Sequence, residues 1–251
     1  MDIKALPKAP FLSIFTLTLM ALLFMGKPGF AKRKRVLVFA KTAGYHHNSI
    51  AAGLPALIKL GQENNFGVDT TTDANKFTPQ NLKKYAAVIF LSTTGDVLND
   101  EQQKAFEKYI QAGNGYVGIH AATDTEYGWP WYGKLVGAYF LSHPAQQDAV
   151  LHVVNSNTIA TKHLPLQWKR KDEWYNFKDI ATDLKVLITI DEHTYTGGKN
   201  GNNHPMAWYH DYDGGRAFYT ELGHVDESYT DPLFLKHILG GIYYALGRHQ
   251  M

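Results

Sequence analysis

Two spacings of apolar residues alternate along the chain from residue 35 onward. RVLVFA (35–40) is a short unbroken apolar run, the pattern of a strand covered on both faces. SIAAGLPALIKLGQENN (49–65) follows with apolar residues at helical spacing. AAVIFLS (86–92) predicts another buried strand, and the segment after it, NDEQQKAFEKYIQAGNG, predicts a helix that Asn99 caps, with Gln102 at capping-box distance and Gly113 or Gly115 at its end. GYVGIHA (115–121) is the next strand. In the second half DAVLHVVN (148–155), KVLITID (185–191), MAWYHDY (206–212) and RAFYTEL (216–222) read as strands, the last two joined through Asp213-Gly214-Gly215, a hairpin signal. Asp231 and Pro232 start a closing helix with Leu235, Leu239, Ile242 and Leu246 on one stripe. Such alternation predicts an α/β fold, a doubly wound and mostly parallel sheet with antiparallel additions. Ligands in such sheets sit beyond the carboxyl ends of the strands, near the point where strand order reverses.

The residues before 32 read as an address. Lys4 and Lys8 precede FLSIFTLTLMALLFM (11–25), an uncharged apolar run of signal-peptide length and short for a bilayer span. GFA, ending at Ala31, offers small residues to a signal peptidase. The expectation is a signal peptide over 1–31, a mature domain over 32–251, and a secreted or periplasmic location; left uncleaved, the segment would anchor the chain in a membrane. The chain has no cysteine, so it has neither a lipobox nor a disulfide framework. At 251 residues and 45% hydrophobic it can bury one full core, which argues for a single folded domain. A net charge of +2, with Lys32-Arg33-Lys34-Arg35 as the dense basic run, argues against a nucleic-acid surface. Twelve histidines and an aromatic share of 13% suit a sugar or another small polar ligand.

Candidate chemistry centres on GYVGIHAATD (115–124), where a strand feeds without a spacer into a histidine. Open α/β sheets present nucleophiles at such strand ends, but here the residue is His120. His46 and His47 follow the first strand, His143 stands in LSHP, and His224 follows a late strand in GHVD. Four segments therefore bring imidazoles to one predicted rim, whereas His152, His210 and His237 fall inside predicted elements and read as structural. Asp124 either orients His120 or caps the segment that follows. Glu173 sits between polar and aromatic neighbours in DEWYNF, and Arg216 either meets ligand or forms a surface salt bridge. Trp129, Trp131 and Tyr132 either stack on a pyranose face or pack their loop onto the domain.

TAGYHHNS (42–49), GYVGIHAATDT (115–125), GAYFLSHP (137–144), DEWYNF (172–177) and HPMAWYHDYDGGRAFYTELGH (204–224) resemble, in order, the motifs of the ThuA-like, trehalose-utilisation family. The resemblance spans essentially residues 34–247. It implies a flavodoxin-like, three-layer fold related to class I glutamine amidotransferases, and a place in carbohydrate metabolism that includes 3-keto sugars. Amidotransferases of that fold carry a Gly-x-Cys-x-Gly elbow. Here the run is Gly118-Ile119-His120-Ala121-Ala122, so thioester chemistry on glutamine is excluded. Within these motifs His120, His47, Glu173, His224 and Asp124 are the candidate catalytic residues; Tyr45, His46, His143, Tyr175, Trp208, Arg216 and Tyr219 are the candidate substrate contacts.

Two mechanisms fit an elbow that holds an imidazole. In one, His120 is a general base or acid at a sugar carbon next to a ketone, and His47, Glu173 or His224 handles the second proton. In the other, two or three of His46, His47, His120 and His224 bind a divalent metal. No nucleotide cofactor is expected. The competing reading is a non-catalytic carbohydrate-binding or scaffold domain, for which the histidines need not converge.

Overall fold

The computed structural model describes residues 1–3, 5 and 33–251; the apolar segment 11–25 and the expected cleavage point after Ala31 lie outside the described residues. In the first half β1 (Arg35–Phe39), α1 (Ile50–Glu63), β2 (Gly67–Thr71), the short α2 (Pro79–Leu82), β3 (Ala87–Leu91), α3 (Asp100–Gln111) and β4 (Gly115–Ile119) follow one another. The apolar runs become β1, β3 and β4, and every residue of β3 and β4 is buried. The start of α3 follows the predicted box: the Asn99 side chain accepts the Gln102 N–H, and the Gln102 side chain accepts the Asn99 N–H. Gly113, left-handed at φ +87°, lies just past the end of α3, while Gly115 already belongs to β4.

The second half runs α4 (Pro130–Val136), β5 (Tyr139–Ser142), β6 (Gln147–Val153), β7 (Gln167–Asp172), β8 (Asn176–Lys178), β9 (Lys185–Ile190), β10 (Pro205–Tyr212), β11 (Gly215–Thr220) and α5 (Pro232–Ala245). The main sheet has the order β2-β1-β3-β4-β11-β10-β9-β6-β7. Its first five strands are parallel and the remaining joins are antiparallel. β5 and β8 pair separately. The sequence pattern did not reveal β2, β5, β7 or β8. QWKRKD in β7 is mostly charged, and backbone pairing with β6 rather than apolar content makes it a strand.

Helices cover both faces of the parallel part, giving three layers. Phe90 and Tyr116 meet Phe106 of α3 and Tyr132 of α4 on one face. On the other, Phe218 lies against Gly241 of α5. The buried side of α5 is Phe234, Ile238, Gly241, Ile242 and Ala245, one position round from the expected stripe; Leu235 and Leu239 are only half-buried. The small Gly241 lets the helix lie close to the sheet, which turns the stripe toward the glycine edge.

Strand order reverses at β1, whose neighbours are β2 and β3. The carboxyl ends of β1, β4 and β11 therefore open onto one rim. β7 is the far edge strand, yet its last residue reaches the same rim: the buried Asp172 carboxylate accepts the N–H groups of Gly223 at 3.2 Å and His224 at 3.1 Å. Arg170 lies 3.5 Å from the same carboxylate.

Candidate functional site

The elbow at the end of β4 has the backbone its position demands. His120 is left-handed at φ +51° and opens a 3-10 turn, His120–Thr123. Tyr219 in β11 donates its hydroxyl to the His120 carbonyl at 2.7 Å. A Cβ at Gly118 would come within 2.9 Å of both the Tyr116 hydroxyl and the Tyr219 ring, so this position admits no side chain. The turn directs the imidazole inward. Its Nδ1 donates to the Glu221 carbonyl at 2.7 Å, which leaves Nε2 as the lone-pair nitrogen of the neutral ring. His120 is fully buried. The left-handed elbow tucks the ring against β11 instead of pointing it at solvent.

Three other side chains meet that nitrogen. Glu173, just after β7, places Oε2 at 3.6 Å from His120 Nε2 and at 3.0 Å from His224 Nδ1. His120 Nε2 and His224 Nδ1 are 3.1 Å apart. His47, in the turn before α1, sets its ring against His120 and His224 with centroids 4.8 and 5.2 Å away. One potential ligand atom from each of His47, His120, Glu173 and His224 lies within 4.8 Å of the others. The second carboxylate oxygen of Glu173 faces His143 Nδ1 at 3.1 Å.

A cavity of about 390 Å³ reaches this cluster, within the size range of small-molecule sites. Tyr45, His47, Asp124, Phe140, His143, Gln146, Glu173, Tyr175 and His224 line it, while His120 stands behind them. A larger depression of about 620 Å³, lined by Tyr127, Lys134, Tyr139 and Asp183 among others, gathers no imidazole.

Burial and charge separate the ionisable groups. Burial, then the positive charges that His120 and His224 carry when protonated, push His47 down to about 3, so its ring is neutral. Burial opposes ionisation of Glu173, but the His120 and His224 imidazoles, when they carry the extra proton, outweigh it and hold the carboxyl well below the usual range. For His224 burial disfavours the cation, and the Glu173 carboxylate more than compensates, raising its pKa. Behind His120, burial and then the charge of Asp172 raise the Glu221 carboxyl well above the ordinary value. Its Oε2 has no hydrogen-bond partner among the described residues.

The remaining candidates divide. Tyr45, His143, Tyr175 and Asp124 line the cavity. Asp124 neither orients His120 nor caps a helix; it accepts the Tyr127 hydroxyl at 2.6 Å and follows the 3-10 turn. His46 is exposed and pairs with Thr42 at 3.2 Å, so the adjacent histidines point apart and only His47 enters the site. Trp208 and Tyr219 are core residues, their rings tilted against each other at 4.4 Å with no exposed surface, because β10 and β11 are covered on this face. Arg216 opens β11 at the opposite edge, where its guanidinium donates to the carbonyls of Gly113, Tyr244 and Ala245. It ties α5 to the sheet and forms no part of the site. Trp129, Trp131 and Tyr132 pack their loop through hydrogen bonds to Glu107, Asp213 and Ala122.

Glu221, Gln146 and Asp172 escaped the sequence reading. A carboxylate inside the apolar run RAFYTEL was a readable sign of a buried acid; Gln146 and Asp172 carried no comparable signal.

A family model described as ThuA, trehalose utilisation, matches residues 35–245. No curated protein matches. Among solved structures, a ThuA-like protein of Bacteroides uniformis is 24% identical with a TM-score of 0.74, covering 87% of this chain and 94% of its own. A ThuA-like protein of Parabacteroides merdae is 22% identical with a TM-score of 0.73, covering 88% and 92%. A β-galactosidase of Bacillus circulans sp. alkalophilus is 12% identical with a TM-score of 0.57 over 86% of this chain but only 31% of that enzyme. At these identities the likeness is one of fold.

Proposed function

This chain belongs to the ThuA family, described by trehalose utilisation, and from that premise we propose that it is an exported sugar-modifying enzyme acting on glycosides or their 3-keto derivatives. The observation that carries this reading is the convergence of His47, His120, Glu173 and His224 from four separate segments at the floor of one cavity. A binding or scaffold domain has no need to hold two buried imidazoles and a half-buried third against a carboxylate, since unused buried ionisable groups cost stability. Around that floor Tyr45, Phe140 and Tyr175 supply aromatic surface for a sugar ring, and Asp124, His143 and Gln146 supply polar contacts for hydroxyls.

Glu173 is the hub. Its carboxylate faces His120, His143 and His224, and it lines the cavity, so it can exchange a proton with a bound sugar. His120 acts through these neighbours, because it has no surface of its own in the cavity. A ketone next to the reacting carbon acidifies its C–H bond, and imidazole and carboxylate groups are the side chains suited to moving that proton.

Incubating the purified protein with glycosides and their 3-keto derivatives, with products followed by NMR, tests the activity. Wild type should convert at least one of them, and Glu173→Gln, which keeps the shape and removes the charge, should lower turnover by about 10²–10⁴-fold. An inert wild type across the panel, or an unimpaired Glu173→Gln, sinks the reading. Export is tested separately by N-terminal sequencing of the native protein. A mature start near Lys32 is expected; Met1 intact in a membrane fraction would favour an anchor.

A further inference from the structure

We infer that His47, His120, Glu173 and His224 together bind one divalent transition-metal ion of the zinc class. His120 Nε2, His224 Nδ1 and Glu173 Oε2 form a triangle with edges of 3.1, 3.6 and 3.0 Å. Tetrahedral bonds of about 2.1 Å place neighbouring ligand atoms about 3.4 Å apart, so the triangle already has the size of one face of a metal coordination shell. His47 supplies the fourth corner, since its ligand atom lies within 4.8 Å of the other three.

Proton counting supports the same assignment. The Glu221 carbonyl fixes the His120 proton on Nδ1, so Nε2 brings only a lone pair to the triangle. Glu173 brings lone pairs too, and His224 Nδ1 has at most one proton to share between them. A cation at the centre satisfies all three atoms at once. His47 adds an independent sign: the residue is only 3% exposed, yet its Nδ1 has no hydrogen-bond partner among the described residues, which a buried ring rarely tolerates without a ligand.

The surroundings match what metal-bound histidines need. His120 is oriented by a backbone carbonyl through its outer nitrogen, and the Gln146 side-chain amide lies 2.7 Å from His224 Nε2. With its oxygen turned to the ring, that amide accepts a hydrogen bond from Nε2–H and leaves the Nδ1 lone pair for the ion. Three imidazoles and one carboxylate select a late first-row ion over calcium or magnesium, which prefer all-oxygen shells. Asp124 and His143 line the cavity but lie outside the set, and would remain free to contact ligand beside the ion.

The inference shares these residues with the proposed enzyme but is read without any sugar. Tag-free protein is stripped with chelator, dialysed, and titrated with Zn²⁺ and, for its visible absorption, Co²⁺; bound metal is measured by elemental analysis. One equivalent per chain is expected, with the intense visible bands of tetrahedral cobalt and a raised Tm. Glu173→Gln should weaken binding at least about 10–100-fold, and His224→Ala should abolish stoichiometric binding. His249→Ala, in the C-terminal segment, should bind as wild type. Folded wild type that retains no stoichiometric ion, or His224→Ala and Glu173→Gln that bind as wild type, would overturn the assignment. Metal binding without sugar turnover would leave this inference standing while the enzymatic reading fell, and turnover by a protein that takes up no stoichiometric ion would do the reverse.

Discussion

His120 and His237 show how differently one residue type is used in a single fold. His120 is held by a left-handed backbone, by the Tyr219 hydroxyl and by the Glu221 carbonyl, and every one of these contacts fixes its Nε2 toward Glu173 and His224. Because it is buried, truncating it disturbs packing as well as chemistry, so Glu173 is the cleaner position for testing activity. His237 is structural, as its place inside the α5 pattern predicts. Its Nδ1 donates to the Ala160 carbonyl and its Nε2 lies 3.2 Å from Thr220 Oγ1, in a fully buried site. Burial, followed by repulsion from His163 and Arg170, pushes it down to about 4. In the unfolded chain the same ring titrates near its ordinary value of about 6.5, so between that pH and about 4 the unfolded state binds the extra proton. Stability should be full above about pH 6.5 and fall as the pH drops toward 4, by on the order of 3 kcal/mol from this group. Denaturant unfolding of wild type and His237→Gln across that range checks it: the acid-side slope should be shallower in the variant, and parallel curves would show that His237 is not its source.

At the scale of elements, α5 lies very close to both β11 and β4. A Cβ on Gly241 would lie 2.3 Å from the Phe218 ring, and one on Gly115 in β4 would lie 2.1 Å from the Ala245 carbonyl oxygen. Neither neighbour has room to retreat, since Phe218 and Ala245 are fully buried. Gly241→Val should therefore destabilise the protein by about 1–3 kcal/mol through overpacking, read as a lower midpoint in denaturant with an unchanged slope. An unchanged midpoint would show that the helix shifts freely over the sheet. The same closeness explains the displaced stripe on α5. Leu235 and Leu239 mark the apolar side by composition, but the helix meets the sheet on the side where Gly241 removes bulk, while Gly240 faces the backbone of Ala160. Helical periodicity reports which positions are apolar; it does not report how close a partner comes.

Over the whole molecule, the candidate site is assembled from the turn after β1, the elbow after β4, the segment after β7 and the loop after β11. The first, second and fourth of these were placed on one rim by the pattern alone, because parallel strands in a doubly wound sheet share their carboxyl edge. The segment after β7 was not, since β7 is charged and sits at the far edge of the sheet; the hydrogen bonds of Asp172 to Gly223 and His224 bring it back. By itself the sequence determined the α/β alternation, the capped start of α3, the hairpin at Asp213-Gly214, the family and the histidine-bearing rim. These depend on local periodicity, turn chemistry and motif order, all of which are properties of neighbouring residues. Only the tertiary structure decided that His120 is buried, that His46 turns away while His47 enters, that Trp208 and Tyr219 belong to the core, and that Arg216 lies at the opposite edge. Each of those outcomes depends on which distant backbone or side chain occupies the adjacent space, and the linear pattern carries no record of that.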